Sequence, residues 1–86
     1  GNLYCNHNNL TSLPDNLNVS GDLICYNNQL TSLPDELTVG RGLFCNSNLL
    51  TSLPDKLSVG GDLVCYNNKV KLEIPMDAKI KRKIYN

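Results

Sequence analysis

Apolar side chains in this chain return to six positions of a 20-residue frame, seen in the second frame as Leu23, Cys25, Leu30, Leu33, Leu37 and Val39. Leu23-Ile24-Cys25 alternates inward, outward, inward, the period-two pattern of a half-buried strand. Leu37-Thr38-Val39 predicts a second short extended piece. Between them the alternation breaks at Asn28 and again at Leu33-Pro34-Asp35, where Pro34 fixes its own φ and Asp35 is placed to cap a turn. One frame later the same positions hold Leu43, Cys45, Leu50, Leu53, Leu57 and Val59. Strands of successive frames are therefore expected to pair in parallel, about 4.8 Å apart.

The repetition extends well beyond the apolar positions. Residues 1–20 read GNLYCNHNNLTSLPDNLNVS, 21–40 read GDLICYNNQLTSLPDELTVG and 41–60 read RGLFCNSNLLTSLPDKLSVG, while 61–80 begin GDLVCYNNKV and then drift. A unit of this length cannot bury its apolar side alone, so the units must stack into one continuous core. The expected architecture is a β-rich solenoid with one short parallel strand per coil, about five coils and a C-terminal cap, forming a single domain over residues 1–86. Asn8, Asn28, Asn48 and Asn68 occupy one position in every coil. An amide turned inward there satisfies the backbone of the bend that follows the strand. Gly40 and its neighbours are expected to make the sharp return into the next coil.

The fourth coil changes phase. One residue inserted after Val70 puts Ile74-Pro75 in the place of Leu53-Pro54, Ala78 at the Leu57 position, Ile80 at Val59 and Ile84 at Leu63. That predicts a fifth strand at Ile84-Tyr85-Asn86. Lys81-Arg82-Lys83 replaces the glycine-rich return, and charge beside a last strand discourages another chain from pairing there; residues 71–86 are thus expected to be a cap. Gly1 already stands in the phase of the later coils and no polar cap precedes Leu3, so further coils upstream are expected.

The spacing LxCxxNxLxxLP, with the next Leu nine residues after the Pro, resembles the leucine-rich repeat, in particular its short 20-residue bacterial class. Residues 1–70 carry the resemblance, in three complete copies with the Asn in place. It departs on the convex side, where TSLPDxLxVGGDL is similar to repeat arrays of phage and prophage reading frames. The resemblance implies a protein that binds other proteins on its sheet face. It also leaves two other classes open: the recognition part of a larger secreted ubiquitin-ligase effector, whose catalytic domain is not in these residues, and a structural or accessory component of a phage particle.

Candidate chemistry is sparse. Cys5, Cys25, Cys45 and Cys65 invite a zinc reading, but zinc sites gather thiols from short CxxC-type loops into a tetrahedron, whereas these form a straight row at a core position. Free Cys packs as a small apolar residue, and disulfides between adjacent in-register strands are disfavoured by geometry. No cofactor or metal is expected, and four unpaired buried thiols favour a cytoplasmic or other reducing compartment, virion association or delivery into a host cell included. His7 occupies a solvent-facing bend with no nucleophile beside it. Asp15, Asp35 and Asp55 form an acidic row best accounted for as turn caps, since the glycine-rich nonapeptide of calcium-binding β-rolls is absent. The two Asn-x-Ser/Thr triplets at Asn9 and Asn18 are what an Asn-rich repeat generates by chance. Without a place where an acid, a base and a nucleophile gather, no enzymatic activity is expected.

Composition and charge remove some partners. The chain is neutral overall, has no Trp, and has no apolar run near the about 20 residues needed to span a bilayer. Residues 1–68 hold two cations against six carboxylates, a net −4, and residues 69–86 six cations against two carboxylates, a net +4. The basic end lacks interleaved aromatics, which argues against nucleic acid.

The aromatics carry the functional expectation. Tyr4, Tyr26, Phe44, Tyr66 and Tyr85 all fall where the alternation points away from the core, and Ile24 and Val64 join them. The result is an outward column Tyr4, Ile24, Phe44, Val64, Tyr85 flanked by Tyr26 and Tyr66. β-propensity alone favours such residues in strands, but a contiguous exposed apolar stripe marks an interaction site, and Tyr gives large contact area at small entropic cost. The expectation is a non-enzymatic scaffold with a protein partner, a second copy of the chain being one alternative.

Overall fold

The computed structural model describes all 86 residues and contains no helix. Nine two-residue parallel strands alternate between two sheets. The first sheet holds β1 (Leu3–Tyr4), β3 (Leu23–Ile24), β5 (Leu43–Phe44), β7 (Leu63–Val64) and β9 (Ile84–Tyr85) in that order. The second, built from the other extended piece of each coil, holds β2 (Asn18–Val19), β4 (Thr38–Val39), β6 (Ser58–Val59) and β8 (Lys79–Ile80). The chain is a β-solenoid with coils of about 20 residues.

In-register stacking follows from burial. Leu23, Leu43 and Leu63 pair in sequence and are fully enclosed, as are Cys25, Cys45 and Cys65 two residues on. A one-residue slip would turn every one of them to solvent. The backbone ladder runs past the strands: the N–H groups of Leu3, Cys5 and His7 donate to the carbonyls of Asp22, Ile24 and Tyr26 at 2.9, 2.8 and 3.1 Å. Val39 and Val59 face the same core from the second sheet.

The asparagine ladder forms as expected. The Asn48 amide nitrogen donates to the Cys25 and Cys45 carbonyls at 3.1 Å each and to Asn46 O at 3.2 Å, while its oxygen accepts from the Leu30 N–H at 3.0 Å. Asn28 and Asn68 repeat the arrangement one coil either side. Each amide thereby ties its own coil to the preceding one.

A second side-chain ladder accompanies it. Asn2 Oδ1 accepts from the Asp22 N–H at 2.7 Å, Asp22 Oδ1 from Gly42 at 2.8 Å, and Asp62 Oδ1 from Lys83 at 3.0 Å. Asp15, Asp35 and Asp55, expected as turn caps, accept no hydrogen bond and stand exposed. The turn is closed instead by backbone: the Leu57 N–H donates to Pro54 O at 3.2 Å, and Asn16 and Glu36 adopt positive φ.

Positive φ recurs at His7, Asn27, Ser47 and Asn67, with values of 55–57°. Asn tolerates this region; Ser and Glu do so at a cost. Replacing Glu36 or Ser47 by Asn is expected to stabilise the fold by about 1 kcal/mol, a rise in melting temperature of about 4–8 °C in a chain of this size. Thermal unfolding followed by circular dichroism checks it, and no rise at either site contradicts it.

The chain bends at Gly40-Arg41 and at Gly60-Gly61, where the sharp return was expected, but the glycines serve it by size. None has positive φ, so the return does not need their conformational freedom. A Cβ at Gly40 would strike the Ser20 carbonyl oxygen, and one at Gly60 the Gly40 carbonyl oxygen. Glycine is there so that successive backbones can touch.

The fourth coil confirms the new phase in its second half. Ala78 donates to Pro75 O at 3.1 Å as Leu57 does to Pro54, β8 places Ile80 against Val59, and β9 places Ile84 against Leu63. Before Pro75 the phase differs from expectation. Val70 is 52% exposed and Leu72, at 3%, fills the core place that Leu50 held. Two residues are therefore added before the buried Leu and one is removed after it, which leaves Ile74 at 37% exposure where Leu53 had 6%. The Leu72 N–H donates to Asn86 Oδ1 at 3.2 Å and its carbonyl accepts from the same amide. Asn86 thus acts for this bend as Asn68 does for Leu50, although it stands at the Cys65 place of its own coil.

Candidate interaction face

The first sheet puts the predicted residues side by side. Tyr4 pairs with Ile24, Ile24 with Phe44, Phe44 with Val64 and Val64 with Tyr85, one outward side chain per coil. Tyr4 is 66% exposed, Tyr85 is exposed, and Ile24, Phe44 and Val64 between them are half-covered by their neighbours. The Tyr4 hydroxyl accepts from the Asn2 side-chain amide at 3.1 Å, which fixes one end of the column.

Tyr26 and Tyr66 stand one position further along the strand direction, in a column that reads Asn6, Tyr26, Asn46, Tyr66. The ladder continues through it: Asn27 N–H to Asn46 O at 3.3 Å, Ser47 N–H to Tyr66 O at 2.9 Å. Asn46, between the two tyrosines, is buried, whereas Tyr66 is exposed and Tyr26 half-buried. His7 meets the Tyr26 ring edge-on with centroids 5.2 Å apart, and its Nδ1 lies 3.2 Å from the Asn27 amide nitrogen. That accounts for His7 as a packing and hydrogen-bonding residue of the bend. The seven residues Tyr4, Ile24, Tyr26, Phe44, Val64, Tyr66 and Tyr85 therefore share one face.

Phe44 explains a break in the side-chain ladder. A Cβ at Gly42 would lie 2.7 Å from the Phe44 ring, so the ring leans over the place that Asp22 and Asp62 fill in neighbouring coils. Gly42 gives up one rung and the Phe44 ring takes the space.

Two features escaped the sequence reading. One is the carboxylate and amide ladder of Asn2, Asp22 and Asp62, whose signal was a polar residue just before each strand. The other is a patch on the turn flank, where a shallow groove between the third and fourth coils is lined by Val70, Ile74 and Met76 together with Lys71 and Glu73. The phase change exposes Val70 and Ile74, and Met76 stands at the place that the exposed Asp15, Asp35 and Asp55 hold in the earlier coils. Elsewhere the flank grooves are lined chiefly by Ser, Pro and Asp of the repeated turn.

The thiols lie on the opposite side of the strands. Cys25, Cys45 and Cys65 are buried and Cys5, in the first coil, is partly open. Burial pushes all four up: Cys25 to about 12, with Cys5 adding to the effect, Cys65 to about 11, and Cys45, enclosed between Cys25 and Cys65, well above the ordinary 9.0. At neutral pH they are protonated and poor nucleophiles. Because the folded values exceed the unfolded one, the unfolded chain loses these protons first. The stabilising contribution is complete below about pH 9 and falls as pH rises from there through about 12. Each of Cys25, Cys45 and Cys65 contributes a slope of about 1.4 kcal/mol per pH unit above pH 9, so stability at pH 10 is expected to lie about 4 kcal/mol below that at pH 8. Denaturant titrations at the two pH values measure it. A variant with Val in place of Cys25 and Cys45 is expected to lose much less, and equal losses in both proteins would contradict the account.

The face offers rings, amides and flat backbone. No helix of the chain is long and apolar enough to cross a membrane. Comparison with protein-family models, with curated proteins and with solved structures returns no match for this chain.

Proposed function

We propose that the chain is a non-enzymatic scaffold that binds a protein partner through the outward column of its first sheet. The observation that carries this reading is the unbroken register of Tyr4, Ile24, Phe44, Val64 and Tyr85, with Tyr26 and Tyr66 alongside. A rigid, preassembled surface of rings lowers the entropy cost of binding, and contiguous apolar surface of this kind is a mark of interaction sites. The resemblance of the LxCxxNxLxxLP spacing to short bacterial leucine-rich repeats supports the same reading. The protonated thiol row suits a reducing compartment.

The test is paired capture from the native source with the chain and with a Tyr26→Ser, Phe44→Ser, Tyr66→Ser variant. The variant is expected to lose the partner while its far-ultraviolet circular dichroism is retained. Single substitutions at Phe44 or Tyr66 are expected to cost about 2 kcal/mol, roughly thirtyfold in affinity, if these rings are the centre of the contact. Equal capture by both proteins contradicts the proposal. Concentration-dependent self-association abolished by the same substitutions would reassign the column to a second copy.

A further inference from the structure

We propose that the thiol row is a binding site for a soft, two-coordinate d10 cation of the Cu(I), Ag(I) or Hg(II) type, held linearly between cysteines of adjacent coils. The argument rests on the spacing that the register imposes. Cys5, Cys25 and Cys45 donate their N–H groups to Ile24, Phe44 and Val64 at 2.8–2.9 Å, so the four residues occupy equivalent places on consecutive coils. Equivalent atoms of adjacent in-register parallel strands repeat at about 4.8 Å.

That separation rejects two common fates of paired cysteines and fits a third. A disulfide needs Cβ atoms about 3.8 Å apart and sulfurs at about 2.05 Å, so bridging two coils would pull their backbones together by about 1 Å. A tetrahedral zinc site with metal–sulfur bonds of about 2.3 Å needs its sulfurs about 3.8 Å apart and four of them converging. The row supplies only two neighbours to any point between coils. Two collinear bonds of the same length span about 4.6 Å, within about 0.2 Å of the coil spacing. Soft thiolate ligands select d10 cations such as Cu(I). Linear coordination asks for no third ligand, which matters where every other neighbour is a Leu, a Val or a hydrogen-bonded amide.

Charge fixes the stoichiometry of protons. The site is apolar, so the bound unit must be neutral to avoid a large desolvation cost. A divalent cation displaces both thiol protons and forms two metal–thiolate bonds. A monovalent cation displaces one proton, binding one thiolate and accepting a lone pair from the second, still protonated sulfur. The metal keeps its oxidation state, and the released proton passes to water. Because each bound monovalent cation displaces one proton, its binding weakens about tenfold for each unit fall in pH. The first cation bridges Cys5 and Cys25, because Cys5 alone of the four is partly open to solvent.

Silver(I) is the redox-inert probe. One equivalent added to the reduced chain is expected to raise the melting temperature by about 5 °C, the affinity of the unfolded thiols offsetting part of the full shift, with two sulfurs and no third ligand by X-ray absorption. Zinc is expected to produce no rise. Cys5→Ser, which alters a partly exposed position, should abolish the shift relative to its own metal-free melt, and Cys65→Ser should keep it. A plot of log Kd against pH should have a slope of minus one, one proton being released per silver ion bound. The proposal is overturned by three or four sulfur ligands, by an equal response to zinc, by silver that unfolds the chain, or by an undiminished shift in Cys5→Ser. None of these outcomes depends on the aromatic face.

Discussion

Asn48→Asp is expected to remove a large part of the stability of the folded chain, about 3–5 kcal/mol. A domain of this size is held by only about 4–13 kcal/mol in total. The substitution preserves size and keeps an oxygen for the Leu30 N–H. It replaces the amide donor that serves Cys25 O, Cys45 O and Asn46 O with an oxygen facing three carbonyls, in a position almost without solvent. Protonation restores one O–H donor and removes the charge. The variant should therefore recover part of its stability in acid, and a melt compared at pH 7 and pH 4 reads that recovery. Asn48→Ala leaves Leu30 N–H without a partner, but both cysteine carbonyls keep a bond from the neighbouring rung. Its expected cost is about 2–3 kcal/mol. Asn8→Ala, at an exposed rung, should cost less than about 1 kcal/mol. Equal costs at Asn8 and Asn48 would show that the ladder does not carry load between coils.

Gly60→Ala should cost about 3 kcal/mol, a large effect for one methyl group. The new Cβ would meet the Gly40 carbonyl, which is backbone and cannot swing aside. Relief requires the coils to part along the second sheet, where Gly60 N–H donates to Val39 O at 2.9 Å and Gly40 N–H to Val19 O at 2.7 Å. Hydrogen exchange at Gly40, Ser58, Gly60 and Lys81 should accelerate while the first sheet stays protected. Gly21→Ala provides a milder contrast, because the nearest obstacle there is the Asn2 side-chain oxygen, which can rotate at the loss of its bond from Asp22 N–H, with the Gly1 carbonyl next at 3.1 Å. A Gly60→Ala protein as stable as the parent would mean that the coils are not in backbone contact.

Much of this fold is legible in the sequence because its rules are local and repeated. Alternation at Leu23-Ile24-Cys25 sets which side chains enter the core, and the 20-residue period stacks each on its equivalent. The same reasoning places Tyr4, Ile24, Phe44, Val64 and Tyr85 on one outer column, since a residue between two inward neighbours has one direction left. Even the shifted phase after Pro75 can be followed, because Ile80 and Ile84 keep the spacing of Val59 and Leu63.

What the sequence conceals depends on contacts between coils. Val70 and Leu72 are both apolar and two residues apart, so alternation alone cannot choose between them. The choice falls to Leu72 because Asn86, fourteen residues later, supplies its backbone partners. Gly40 and Gly60 look like turn glycines, yet their role appears only when the preceding coil is laid beneath them. The Asp row was assigned to capping on residue type, while the actual turn uses positive φ at Asn16 and Glu36, a backbone property that residue type signals weakly at Glu. Asp22 and Asp62 were counted only as charge, although each holds the N–H of the next coil.

Residue-resolved covalent labelling of the native chain tests the stacking most directly, with a thiol reagent and a tyrosine-modifying reagent applied together and the sites read by mass spectrometry. The account predicts fast labelling at Tyr4, Tyr66 and Tyr85 and, among the thiols, slower labelling at Cys5 alone, with Cys25, Cys45 and Cys65 protected until the chain unfolds. Prompt native labelling of Cys45 alongside protected tyrosines would contradict it.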